Sequence, residues 1–284
     1  VININGGTKA VCLIGNPVIY SLSPFIHNYG FGLHNVNSVY LAHHVEDNSV
    51  KEAVYGIKGL NYIGCNVTYP HKTSVIPFLD ELTEEAKLIG AVNTIKNVNG
   101  KLVGYNTDGI GFINGLKNKG FDLNGKNICI LGAGGAARSI IVSLIKEYRC
   151  NVIVCNRNIN KAIEISNGLN KYSFSGTISE CIEPSQLKSK DIDVLINCTP
   201  VGMSPNEDAI PFEEDLLIKK DMLVCDLIYK PYETKLLKKA KEIGCQVHYG
   251  LDMLLFQAIV AFKIWTDKDI PFGELEILLK RQIY

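Results

Sequence analysis

"ICILGAGGAARSI", residues 128–140, changes character in its middle. An apolar run suited to a buried strand gives way to glycines at 132, 134 and 135, and then to small and apolar residues that suit a helix. Gly132 permits a tight turn, Gly134 lets backbone approach a pyrophosphate, and Ala137 stands where a third small residue packs helix on strand. The helix amino terminus would offer the phosphate free N–H groups and a favourable dipole. A bare G-x-G-x-x-A also fits an ordinary turn. Here a strand precedes it, a helix follows, and "NVIVCN" supplies a second strand in register, so the stretch reads as a dinucleotide-binding loop and the fold class as α/β.

The end of that second strand bears on which dinucleotide. NAD-preferring sites carry an acidic residue about twenty positions on, bonded to the ribose 2′-hydroxyl. This chain has Asn156 and Arg157 there, with Lys161 one turn further and no carboxylate. A guanidinium forks onto a phosphate, so the local charge favours NADP, although an Arg at a strand end also reads simply as an exposed charge.

Working outward, "NICILG", "NVIVCN", "DVLINCT", "MLVCDLIY" and "CQVHYG" are strand-like and form one alternating α/β series. An earlier series precedes it: "AVCLIG" strand, 24–34 helix, "SVYLAHHV" strand, 48–58 helix, "YIGCNVT" strand and 71–79 helix. Each implies a mostly parallel sheet with helices on both faces. "GAVNTIKNVNGKLVGYNT" breaks the rhythm as a hairpin turning at Asn99-Gly100, and a helix near 108–119 follows it. "MLLFQAIVAFKIW" is apolar on nearly every helical face and reads as a buried helix. If that last helix returns to the first domain, the organisation is 1–108 plus 251–284 for substrate and catalysis and 109–250 as a Rossmann-type dinucleotide-binding domain, with a cleft between the lobes.

A chain of 284 residues suits two such cores. Basic and acidic residues number 29 each, so no global field recruits nucleic acid or an anionic membrane. The nine cysteines are odd in number, scattered and never spaced C-x-x-C, which suits reduced, buried thiols better than a disulfide framework or a zinc site. No leader pattern and no run near 18 apolar residues is present, so a soluble cytoplasmic protein is expected.

The first domain concentrates small polar groups at expected strand ends, in "YSLSPFIHN", "NVTYPHK", "GAVNT" and "GYNTD". Strand carboxyl ends are where open α/β sheets bind ligands. Ser21, Ser23, Thr68, Asn93, Asn106 and Asp108 together suit a small polyhydroxylated acid. Singly they have plainer readings: Ser23 before Pro24, or Asn106 and Thr107, as helix caps.

Along essentially its whole length the chain resembles the shikimate dehydrogenase family, through "SLSPFIHN", "NVTYPHK", "GAVNT", "GYNTDGIG", "GAGGAA", "NR", "NCTPVGM", "DLIYKPYETKLL" and "GLDMLLFQA" in the family's order. The resemblance implies NADP-dependent interconversion of 3-dehydroshikimate and shikimate in aromatic amino-acid biosynthesis; no metal is expected, and monomer and homodimer both stay open. It implies that Ser21 and Ser23 bind the substrate carboxylate and that Thr68, Lys72, Asn93, Asp108, Tyr229 and Gln257 surround the ring hydroxyls. It places Gly132, Ala133, Gly134, Gly135, Ala136, Asn156, Arg157, Lys161, Leu227 and Gly250 along NADP(H). Asn158 and Asp267 depart from the family's usual threonine and glycine.

Hydride transfer to a ketone needs a nearby group that steadies the growing oxyanion and donates a proton. Lys72 fits both needs, with Asp108 accepting a substrate hydroxyl and orienting the lysine. Tyr229 is a second candidate acid, with a hydrogen-bonding or a packing role as its plainer readings. Rival readings are a quinate/shikimate dehydrogenase with broader substrate or NAD use, and a non-catalytic NADP-binding sensor. Retention of both Lys72 and Asp108 speaks against the sensor.

Overall fold

A computed structural model of the chain describes residues 4–212 and 218–283. It divides into two compact units, one running to Thr107 and resuming at Leu255, the other Asp108–Leu254.

The first unit is built on β1 (Lys9–Gly15), β2 (Ser38–His44), β3 (Gly64–Val67), β4 (Glu81–Leu82), β5 (Thr94–Val98) and β6 (Lys101–Tyr105), in the order β2-β1-β3-β5-β6-β4. β1 lies parallel to β2 and β3. The sheet then turns antiparallel, because β5 and β6 are the arms of the expected hairpin. Its turn residues Asn99 (φ 53) and Gly100 (φ 88) both take positive φ, as a tight two-residue hairpin turn demands.

Helices α1 (Ser23–Leu33), α2 (Val50–Gly59) and α3 (Glu84–Ile89) complete the part of the unit before residue 108. Cys12, Ile14, Cys65 and Val67 bury one face of the sheet together with Val50, Val54 and Ile57 of α2. On the other face, His27 of α1 stacks on Tyr40 of β2. The unit also receives the later part of α8 (Gly250–Thr266), the apolar helix, whose Trp265 donates its indole N–H to the Ile95 carbonyl at 2.9 Å.

The expected helix over 71–79 does not form. That segment is a series of turns ending in a short 3-10 helix at Ile76–Phe78. One α-type bond exists, Val75 N–H to the His71 carbonyl, but Pro77 has no N–H to give and its ring crowds the turn before it, so the next bonds close over three residues.

In the second unit, β7 (Asn127–Leu131), β8 (Asn151–Cys155), β9 (Thr177–Ile182), β10 (Val194–Asn197), β11 (Leu223–Asp226) and β12 (Gln246–His248) form one parallel sheet ordered β12-β11-β10-β7-β8-β9. The strand order reverses between β7 and β10, the topological switch point at which such sheets bind ligands. Strands such as NICIL and LVCD are apolar because helices cover both faces. Those helices are α4 (Asp108–Asn118), α5 (Gly135–Glu147), α6 (Ile159–Leu169), α7 (Lys235–Ile243) and the start of α8; the C-terminal α9 (Phe272–Ile283) belongs to the first unit.

All nine cysteines are free thiols, and burial pushes those of Cys129, Cys198 and Cys225 up. No helix among the described residues is long and apolar enough to cross a membrane.

Candidate active site

β7 ends at Leu131 and α5 begins at Gly135, so the phosphate turn is Gly132 to Gly134. Gly132 has φ +106, and a side chain there would crowd the Cys198 carbonyl and the Thr199 methyl at 3.3 Å. Its N–H is held by the Cys155 carbonyl at 2.8 Å. Apart from their chain neighbours and the backbone of α5 itself, no described atom lies within 4 Å of where a Cβ would stand on Gly134 or Gly135, which leaves this side of the turn open to a ligand. Ala137 is fully buried where helix meets strand.

Beside the turn is a cavity of about 470 Å³ lined by Ala133, Gly134, Asn156, Arg157, Asn158 and Lys161. Two cations and no carboxylate line it. Asn158 caps α6, its side chain accepting from Asn160 N–H at 3.1 Å, and its carbonyl accepts the Asn156 amide at 2.7 Å. The cap thus holds Asn156, Arg157 and Lys161 at one rim. This donor set fits a nucleotide carrying a phosphate on the ribose.

The far side of the turn is formed by the strand ends of β10 and β11. Leu227 N–H donates to the Asn197 carbonyl at 3.1 Å. Gly250, the first residue of α8, presses so closely on the Leu227 carbonyl that any side chain there would overlap it. Leu227 and Gly250, placed together by the resemblance, are therefore in contact. Tyr229 is half-buried two residues on, and burial pushes its phenol up.

In the first unit the polar groups gather at the carboxyl edge of β1 and β3. Ser21 lies in the loop after β1, and its hydroxyl accepts the Ser23 N–H at 3.2 Å. Ser23 is the first helical residue rather than the cap; Leu22 holds the cap position without a side-chain bond. Thr68 follows β3, its N–H on the Ile14 carbonyl at 2.9 Å. Lys72 stands in the turns of 69–75, not on the first turn of a helix. Its carbonyl accepts Val92 N–H at 2.7 Å, which ties it to Asn93 next along the chain. Neighbouring His71 is buried and donates to the Val45 carbonyl at 2.7 Å, anchoring the turn from below.

Asn93 is buried. Its side-chain oxygen accepts Thr107 N–H at 2.8 Å, and its amide donates to the Thr107 hydroxyl at 2.9 Å. The Asn106 amide reaches back to the Ala91 carbonyl at 3.0 Å. Gln257 is half-buried on α8, in the part that belongs to this unit. Asp108 opens α4 in the second unit and is buried.

Sequence reasoning missed Asn66 and Tyr40. The Tyr40 hydroxyl donates to Asn66 Oδ1 at 2.7 Å, and Asn66 Nδ2 donates to the Asn93 carbonyl and the Thr94 hydroxyl, both at 3.1 Å. The available signal was an amide inside the four-residue buried strand GCNV, where an unpaired polar group would be costly.

A two-unit α/β architecture with a glycine turn at the switch point of a parallel sheet is that of a nucleotide-dependent enzyme. Family models match three stretches of the chain: the shikimate dehydrogenase substrate binding domain over 13–95, shikimate / quinate 5-dehydrogenase over 115–201, and the shikimate 5′-dehydrogenase C-terminal domain over 250–276. A shikimate dehydrogenase (NADP(+)) of Alkaliphilus metalliredigens is 43% identical over 279 residues, covering 97% of this chain and 98% of the relative. A crystal structure of a shikimate dehydrogenase in complex with NADP+ superposes with a TM-score of 0.91 at 40% identity, covering 99% of this chain and 98% of that one. The Listeria monocytogenes shikimate 5-dehydrogenase in complex with shikimate and NAD also gives 0.91, at 35% identity, covering 97% and 98%. The chain belongs to the shikimate dehydrogenase family.

Proposed function

We propose that the protein catalyses the NADP-dependent, reversible reduction of 3-dehydroshikimate to shikimate, a step of aromatic amino-acid biosynthesis. The observation that carries this reading is the carboxylate-free pocket of Arg157 and Lys161 beside the glycine turn, in a chain of this family. Residues 1–108 with 251–284 bind most of the substrate, and residues 109–250 bind the cofactor and contribute Tyr229 to the substrate.

Bound NADPH would supply the hydride. Arg157 and Lys161 hold the 2′-phosphate, with Asn156 at the adenosine, and the turn from Gly132 to Ala136 cradles the pyrophosphate against the α5 amino terminus. Leu227 and Gly250 form the wall along the other half.

Ser21 and Ser23 take the substrate carboxylate, while Thr68, Asn93, Tyr229 and Gln257 hold the ring hydroxyls. Lys72 presents its ammonium to the carbonyl oxygen, steadies the charge that grows there and delivers the proton that completes the alcohol. In reverse the neutral amine takes that proton. Asp108 accepts a hydrogen bond from the substrate and orients the lysine. The protein works in the cytoplasm as a monomer or homodimer.

The test is the absorbance of NADPH mixed with purified protein and 3-dehydroshikimate, with shikimate and quinate offered in reverse against NADP+ and NAD+. Oxidation of NADPH, and a preference for shikimate with NADP+, is expected. No turnover with shikimate in either cofactor would sink the reading.

A further inference from the structure

Two loops leave the carboxyl edge of the second sheet on the side of the switch point away from Arg157: 198–203 after β10 and 227–234 after β11. They meet on one buried carboxylate. Asp226, at the last position of β11, accepts at Oδ1 from Asn197 Nδ2 and from Ile228 N–H, both at 3.1 Å, and at Oδ2 from the Thr234 hydroxyl at 2.8 Å. Ile228 is the second residue of the second loop and Thr234 its last, so one side chain closes it. Asn197 in turn holds the first loop, its Oδ1 accepting Thr199 N–H at 3.0 Å and the Thr199 hydroxyl at 2.7 Å. Thr199 packs against Gly132, and Leu227 packs against Gly250.

Every group that converges on Asp226 is a donor, and an ionised carboxylate is the side chain that only accepts. An amide in its place would turn one N–H₂ toward a donor. Asp226, Asn197 and Thr234 are all buried, so these bonds face no competition from water. The adenosine half of a dinucleotide lies toward β8, where Arg157 sits, and the other half must then extend past β10 and β11.

We propose that Asp226 is a positioning residue for the nicotinamide half of the cofactor: its carboxylate fixes loop 227–234 against loop 198–203, and so places Leu227 beside the phosphate turn. The proposal rests on NADP as the cofactor, and its test needs no turnover.

The test compares two probes by calorimetry on the full chain, NADP+ and adenosine 2′,5′-bisphosphate, which carries only the Arg157 half. Asp226→Ala should weaken NADP+ about tenfold or more while leaving the bisphosphate within about twofold, the scale of one or two lost buried hydrogen bonds. Asp226→Asn, which keeps the Oδ1 acceptor but turns an N–H₂ toward the Thr234 hydroxyl, should recover only part of the NADP+ affinity and fall between wild type and Asp226→Ala. Thr234→Val, which removes the Oδ2 donor and with it the hydroxyl that caps α7 by accepting Leu237 N–H at 3.4 Å, should show the same split at about threefold and serves if the alanine variant does not fold. Affinities for the two probes that move in step, or do not move, overturn the proposal. Wild-type protein that binds both probes but turns over no shikimate would instead overturn the proposed reaction and leave this one standing.

Discussion

At the carboxyl edge of the first sheet, Tyr40, Asn66, Asn93, Thr94 and Thr107 hydrogen-bond to one another below the surface; at the edge of the second, the phosphate turn is backbone and the cations stand in an open pocket. The two edges answer different demands. A phosphate is recognised by N–H groups and positive charge, which a glycine turn and two long side chains provide with little supporting structure. A ring with several hydroxyls is read by direction, and direction needs side chains that are themselves held. The first unit should therefore be sensitive to single side-chain changes, and the phosphate turn of the second, which works through backbone, more tolerant.

The sharpest test of that contrast is Lys72→Ala. Losing a proton donor used chiefly in the transition state should lower kcat about a thousandfold with under about fivefold change in KM for shikimate. Steady-state kinetics measures both, and a kcat near wild type would remove Lys72 from the chemistry. Arg157→Ala, in the second unit, should raise KM for NADP+ about ten- to a hundredfold and leave kcat and KM for NAD+ within about threefold. Equal losses with both cofactors would mean that the guanidinium supports the fold rather than reads the phosphate.

Acid probes the buried side of the first unit. Burial lowers the imidazole of His27 to about 3, so the folded state keeps it neutral while the unfolded chain takes up a proton near pH 6.5. A depressed folded value means stability that is present above pH 6.5 and lost as pH falls toward 3. Between pH 7 and pH 5 that loss is about 2 kcal/mol. His27→Phe keeps a ring against Tyr40 and removes the linkage, so urea unfolding of the variant should lose about 2 kcal/mol less over the same interval. Equal pH slopes in the two proteins would contradict a neutral buried imidazole.

Much of this was legible in the sequence, and for identifiable reasons. The alternation of apolar strands and amphipathic helices marks both α/β series, and Asn99-Gly100 marks the hairpin because few residues tolerate positive φ twice in succession. Arg157 was found by its spacing from the glycine turn, which a β-α-β unit fixes. What escaped depends on strand order. β9, TISECI, buries only Ile178 and Ile182 at a sheet edge and includes the exposed Glu180, so it lacks the apolar run of its neighbours. The partnership of Asn66 with Thr94, and of Asn197 with Asp226, follows from cross-strand register, which local pattern does not display. The false helix at 71–79 had a plain local signal, Pro77, that the apolar spacing concealed.

The buried thiols have an uneven distribution. Two of the nine cysteines, Cys12 and Cys65, lie in the first unit and the other seven in the second. A thiol that is protonated and packed away is nearly inert to alkylating agents, and an exposed thiolate is not. The nucleotide unit thus carries the larger set of native chemical clocks: the rate at which each buried cysteine is labelled in folded protein counts how often the structure around it opens, at Cys129, Cys150, Cys155 and Cys225 in that unit and at Cys12 and Cys65 in the other.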